Sequence, residues 1–120
     1  MPAQGSNIWL YLVVRKEMTG GALLAQVSHA SSEAGSQWTI ERGHEIPRDT
    51  RACILGATKE ELAKLRFDLT AAGVSYCAIE ESDGPLAGVV TALGLVTDDR
   101  EALRAAVQLL ATLRPWREPK

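Results

Sequence analysis

Cysteine is scarce in this chain, and its scarcity excludes two common classes of small protein. Only Cys53 and Cys77 occur among the 120 residues, and each lies inside an apolar run typical of a β-strand. They lack CxxC or other metal-ligand spacing, so neither a disulfide framework nor a zinc or redox site is indicated. We therefore predict two buried, reduced thiols and no metal or other cofactor.

Long apolar runs are also missing. The longest, residues 8–14, is far shorter than the roughly 20 residues that a bilayer span needs. Residues 1–7 are polar and lack the cationic start and apolar centre of a secretory signal. These patterns predict a soluble, cytoplasmic protein with no membrane partner.

Positive charge is not in excess. The chain has 13 lysines and arginines against 15 aspartates and glutamates, a net charge of −2, so it has no general attraction for nucleic acid. A loose basic cluster comprises Arg42, His44, Arg48 and Arg51. Three carboxylates interleave with it, which favours a solvated loop over an RNA site.

What the sequence does contain is an alternation of two apolar patterns. Continuous apolar runs predict β-strands at residues 8–14, 51–56, 74–80 and 89–96. Apolar residues at helical spacing predict helices at residues 23–38, 58–72 and 98–113. Thr58 and Glu61 match a capping box at the start of the second helix. The third helix is expected to begin at a cap on Asp98 or Asp99 and to stop before Pro115.

The element order β-α-β-α-β-β-α defines the expected architecture. The link between the third and fourth strands, residues 82–88, is too short for a parallel crossover, so these strands must be antiparallel. Helices on both faces of the resulting four-stranded mixed sheet give a three-layer α/β/α sandwich. The 120 residues suit one domain, which we place at 8–114 between flexible ends at 1–7 and 115–120.

The junction between the first strand and the first helix is the most informative segment. Gly20 and Gly21 precede a helix on which Gln26, His29 and Glu33 share one side, away from the core stripe. Free N–H groups at a helix N-terminus, with no side chains in the way, suit an anionic group such as phosphate. The same pattern fits a plain turn and a solvated histidine, and spacing alone favours that plainer interpretation.

The acidic pair Glu80 and Glu81 ends the third predicted strand. Glutamates at strand ends are commonly exposed and have no special role. On residue type alone, this pair therefore indicates no function.

Two segments together resemble the archaeal and eukaryotic (class II) peptidyl-tRNA hydrolases. Residues 11–31 read YLVVRKEMTGGALLAQVSHAS, and in that family a VVR strand with an acidic residue leads into a GKxAAQxxHA helix. Residues 79–95 read IEESDGPLAGVVTALGL, which is similar to the family's I-x-D-A-G-x-T turn and following G-[ST]-x-T strand. The likeness extends from about Ile8 to Leu113. The G-A-x-x-A-Q pattern most resembles the divergent peptidyl-tRNA hydrolase domain-containing branch.

The resemblance implies a site and shows where this chain departs from it. The family's functional lysine is replaced by Ala22, and Lys16 is the nearest candidate to supply the missing cation. By resemblance, His29 would be the catalytic base, Glu81 would orient it or the attacking water, and Thr91 would bond the ester or ribose. The expected substrate-binding residues are Gly20, Gly21, Gln26, Lys16 and Arg48.

The function that the resemblance implies is hydrolysis of the ester between a peptide and the 3′ end of tRNA. Losing one oxyanion donor typically costs a factor of about 10² to 10³, so Ala22 predicts a weak enzyme. The alternative is a non-catalytic binding module of the same fold with an RNA, protein or small-molecule ligand. A third possibility is a different small substrate in the same cleft. The resemblance also implies a homodimer, and any tRNA contact would use a local basic patch.

Overall fold

A computed structural model describes residues 7–82 and 84–118, without the side chain of Leu86. Its strands are β1 (Trp9–Arg15), β2 (Arg51–Ala57), β3 (Cys77–Glu80), β4 (Val90–Thr97) and β5 (Arg114–Pro115). Its helices are α1 (Gly20–Arg42), α2 (Lys59–Ala71), α3 (Arg100–Ala106) and α4 (Gln108–Thr112). The predicted flexible start lies almost wholly outside the described residues.

The strands form one mixed sheet in the order β3-β4-β1-β2-β5. β1 and β2 are parallel, whereas the β1–β4, β3–β4 and β2–β5 pairs are antiparallel. The antiparallel step that the short link after β3 predicted is therefore confirmed. The predicted number of four strands is wrong, because the described residues form a sheet of five.

The fifth strand lies where the sequence predicted the end of a helix and a tail. Arg114–Pro115 pairs with Leu55 and Gly56, and the N–H of Trp116 donates to the carbonyl of Ile54 at 2.8 Å. Proline is tolerated here because β5 is an edge strand, where its missing N–H removes no ladder bond. Two residues are too few to show a period, so sequence pattern could not reveal this strand.

Helices cover both faces of the sheet. On one face α1 packs against apolar side chains that include Leu12, Val14, Ile79 and Ala92. On the other face α2, α3 and α4 enclose a second cluster that includes Val13, Leu55, Leu65, Leu69, Leu93 and Leu110. Because β1 and β4 contribute to both clusters, both strands are covered on their two faces, as is typical of continuously apolar strands.

Helix α1 passes very close to β4. A Cβ atom added to Gly94 would lie 2.5 Å from the carbonyl oxygen of Ala30, nearer than real Cβ atoms come to a neighbouring atom. The absence of a side chain at Gly94 is therefore what allows the helix backbone to rest on the sheet. This contact fixes the distance between α1 and the sheet, and therefore the positions of the side chains on that helix.

The start of the second helix agrees with the prediction, whereas the third helix does not. The predicted cap of α2 is confirmed, since Thr58 and Glu61 bond each other's backbone N–H groups at 2.8 and 3.0 Å. The predicted third helix is instead broken in two at Val107, whose buried side chain joins the core. Its cap is Asp99, which accepts from the N–H of Ala102 at 3.0 Å.

Both cysteines are half-buried, so the prediction of buried thiols holds only in part. Burial raises the pKa of both thiols, and the charge of Glu33 raises that of Cys77 further. Because a raised pKa leaves less thiolate at neutral pH, we expect both to react with iodoacetamide more slowly than free cysteine at pH 7.5. Alkylation should accelerate as the pH approaches the raised pKa values. Mass spectrometry against time checks this, and equal rates in native and denatured protein would contradict it.

Candidate functional site

Two of the predicted site residues, Lys16 and Glu81, lie where strands of the sheet end. β1, β2 and β3 run in the same direction, because β3 and β1 are each antiparallel to β4 and β2 is parallel to β1. Their carboxyl ends therefore meet at one edge, which we call the carboxyl edge. Lys16, Thr58 and Glu81 directly follow these three strands. Ligands of open α/β sheets characteristically lie outside such ends.

A hydrogen bond joins the two segments that carry the family resemblance. The Gln26 side chain on α1 donates through Nε2 to Oε2 of Glu81 at 3.1 Å, across 55 positions of sequence. Gln26 is only 4% exposed, although the helical wheel placed it on a polar face. Its other side-chain atom, Oε1, is buried without a hydrogen-bond partner among the described residues. Such an acceptor can take a bond from a ligand or a water molecule.

The backbone around Glu81 is fixed by the turn that leads into β4. The Glu81 N–H donates to the carbonyl of Val89 at 3.0 Å, and the Gly88 N–H donates to the Glu81 carbonyl at 2.9 Å. Together with the bond from Gln26, these contacts hold both the main chain and the carboxylate of Glu81. The carboxylate of Glu81 is therefore held in place both through its backbone and through its side chain.

His29 is exposed, which confirms the prediction from the helical wheel. It lies three residues after Gln26, so the two side chains are neighbours on the helix surface. Its imidazole has no hydrogen bond to any residue within 7–82 and 84–118. The structure thus brings His29 to within one helical turn of the Gln26–Glu81 contact and leaves it open to solvent.

Thr91 does not reach the same surface. Its side chain is 0% exposed, and its Oγ1 is buried without a partner among the described residues. It lies where the pairing of β4 with β3 is irregular, since Ile79 pairs with Ala92 and Glu80 with Val90, so Thr91 has no partner on β3. Because its hydroxyl is buried, Thr91 does not share the exposed surface on which His29 lies.

The start of α1 remains open to an anion. Its cap residue, Thr19, makes no side-chain capping bond, and the first turn contains no acidic residue. Gly20 has a φ of 59°, a left-handed conformation that glycine adopts without strain. Ala22 is exposed in this turn, four residues before Gln26 and hence on the same side of the helix.

The cation expected from Lys16 is present at the carboxyl edge, next to an ion pair. Lys16 is exposed, whereas Arg15 before it is buried and donates to both carboxylate oxygens of Glu17, at 2.7 to 3.2 Å. The Arg15 guanidinium lowers the pKa of the Glu17 carboxyl, so that carboxylate is ionised at neutral pH. Sequence reasoning missed this pair, since nothing in the pattern marked Arg15 as buried.

Arg48 lies at the other end of the sheet. It precedes β2, a strand of seven residues that spans about 20 Å. The expected basic patch is dispersed: Arg42 pairs with Asp98 at 2.8 Å, and Arg51 lies over the Trp9 ring, also far from the carboxyl edge. A substrate-binding role for Arg48 beside Glu81 is therefore not supported by its position.

The described part of the chain contains neither a metal centre nor a membrane-spanning helix. No group of three or more His, Cys, Asp or Glu side chains there is arranged to hold a metal ion. None of the described helices is both long enough and apolar enough to cross a bilayer.

Comparisons with known proteins inform the fold. No protein-family model and no curated protein matches the chain. One similar solved structure is a protein of unknown function from Agrobacterium tumefaciens strain C58, with a TM-score of 0.61 and 9% identity. The match covers 91% of this chain and 97% of that one. At 9% identity, this similarity shows that the two proteins share an α/β fold over most of their length. It gives no information about function.

Proposed function

We propose that this chain is a weak peptidyl-tRNA hydrolase-like enzyme whose site is the surface formed by Gln26, His29 and Glu81. The observation that supports this proposal is the hydrogen bond from Gln26 to Glu81. The sequence resemblance rests on two separate segments, and this bond brings them together at the edge where such folds bind ligands.

The reaction needs a base, a positioned water and a donor for the oxyanion. A ring nitrogen of His29 accepts a proton as water adds to the ester carbonyl carbon. When the tetrahedral intermediate collapses, the bond to the ribose oxygen breaks and His29 returns the proton to that oxygen. Glu81, held by Gln26, orients the water or the imidazole, and the N–H groups of Gly20 and Gly21 bind the terminal phosphate.

The test is release of peptide from an N-blocked aminoacyl-tRNA at high protein concentration. The parent should exceed the buffer rate, and His29→Ala should return the rate to that of buffer, because a general base contributes about 10²- to 10⁴-fold. His44→Ala is the matched control, since His44 is exposed in the loop before β2, near the opposite edge. Both variants should keep the thermal stability of the parent, because substitutions of exposed side chains change it little.

A second candidate, a non-catalytic binding module, is favoured by the burial of Thr91 and by the alanine at position 22. If the parent releases no more peptide than buffer does, or if His44→Ala lowers the rate as much as His29→Ala, the hydrolase proposal is wrong. The binding module would then be the better account of the fold.

The partners expected from the resemblance remain part of the proposal. A tRNA contact at the carboxyl edge would rest on Lys16 and the start of α1, because Arg48 lies at the other end. Few phosphate contacts give a shallow dependence of affinity on salt. A titration of labelled tRNA at two salt concentrations measures that slope, and light scattering at several protein concentrations tests the proposed homodimer.

A further inference from the structure

A cavity opens at the carboxyl edge. It lies beside β2 and β5, whereas the Gln26–Glu81 contact lies beside β3, on the other side of β1 in the sheet. Its volume is about 590 Å³, within the usual range of small-molecule sites. The ends of β1 and β2, the first turn of α2 and the segment around β5 enclose it. We call it the β5 cavity, and the residues on which its chemistry depends are Lys16, Gly56, Leu113, Arg114, Pro115 and Arg117.

The β5 cavity has an excess of available positive charge. Lys16, Arg114 and Arg117 line it, and none of them makes a salt bridge with a described residue. Two carboxylates also line it, but both are engaged. Glu17 is paired with buried Arg15, and Glu61 accepts the N–H that it caps at the start of α2. Arg15 offsets the charge of Glu17, so the three cations face one uncompensated carboxylate, Glu61, and positive charge is in excess.

The floor and walls of the cavity suit a molecule with an apolar portion. Gly56 lies at its base, where an added Cβ would be 3.4 Å from Cβ of Lys16 and 3.6 Å from Cα of Trp116. A side chain at position 56 would therefore contact Lys16 and the backbone of Trp116. Leu113 and Pro115 supply apolar wall beside the two arginines.

We propose that the β5 cavity binds a small molecule that carries a phosphate monoester and an apolar group. Three cations match the charge of about −1.5 to −2 on such a phosphate better than the single charge of a carboxylate. Guanidinium groups also match the geometry of phosphate oxygens. The proposal does not depend on the hydrolysis proposed above, because none of Gln26, His29 and Glu81 lines this cavity and the variants below leave Lys16, the residue common to both proposals, unchanged.

The probe is phenyl phosphate, titrated into uniformly ¹⁵N-labelled protein at constant ionic strength and followed by NMR. We expect saturable shifts of the Gly56 and Arg114 amides, because both residues line the cavity. Benzoate, with one charge, should bind more weakly. The resonances of Gln26 and His29 should move little.

Variants that each remove one positive charge test where phenyl phosphate binds. Arg114→Gln and Arg117→Gln should each raise the dissociation constant for phenyl phosphate by about tenfold, the effect of losing one charge-assisted hydrogen bond. Arg48→Gln, which removes the same charge at the opposite end of the sheet, should leave it unchanged. Hydrolysis by these variants is a separate measurement, so either proposal can fail alone.

Three results would overturn the proposal. The first is a set of shifts that never saturates or that is scattered over the surface. The second is an equal effect of all three arginine variants, which would indicate general electrostatic attraction. The third is saturable binding of the trinucleotide CCA without binding of phenyl phosphate, which would assign the cavity to RNA.

Discussion

Replacing Ala22 with lysine is expected to raise the rate of peptidyl-tRNA hydrolysis by about 10²- to 10³-fold, the usual contribution of one oxyanion donor. Ala22 is exposed in the first turn of α1 and lies one turn before Gln26 on the same side. A lysine there would place its charge at the start of α1, one turn before the Gln26–Glu81 contact. This gain in rate should be larger than the loss in His29→Ala, because the rate of that variant can fall only from the low parental rate to the rate in buffer. The assay is peptide release under single-turnover conditions.

Ser28→Lys is the matched control for this gain. It adds the same charge to an exposed position of the same helix, but about 120° around the axis from Ala22. Its rate should stay at the parental level. Equal gains in the two variants would mean that added charge merely recruits tRNA. No gain in either would mean that this fold does not use a cation at the start of α1, which favours the binding module.

Replacing Gly94 with alanine is expected to cause a large loss of stability. The new methyl group would lie 2.5 Å from the Ala30 carbonyl oxygen, so α1 or β4 must move. Overpacking of this kind costs about 1–3 kcal/mol, and more when backbone must shift. In a domain of this size the melting temperature should fall by roughly 4 to 15 °C. Thermal denaturation followed by circular dichroism measures the change.

Gly21→Ala is the contrasting substitution. An added Cβ at Gly21 meets no atom within 4 Å, and its φ is not left-handed. Alanine favours a helix over glycine by about 1 kcal/mol, so this variant should be as stable as the parent or more so. If Gly94→Ala proved equally harmless, the close approach of α1 to the sheet would not be a real constraint on the fold.

The candidate site was predictable only in part. The sequence indicated His29 and Glu81 through a resemblance of two segments, and it placed His29 on an exposed face through helical spacing. It did not indicate that Gln26 is buried, because a helical wheel records direction around one axis and not what lies beside the helix. Here the turn after β3 covers Gln26 and supplies its partner, Glu81.

What the sequence by itself determined about this protein is its local structure. Continuous apolar runs predicted four of the strands, the capping box at Thr58 predicted the start of α2, and the short link after β3 required an antiparallel step. Each of these depends on neighbours within about a dozen residues. Tertiary structure alone decided that Thr91 is buried, that Arg48 lies far from Glu81 and that Arg114–Pro115 forms a fifth strand beside a cavity. Those outcomes depend on which segments pack together across the sheet, which spacing along a chain does not record.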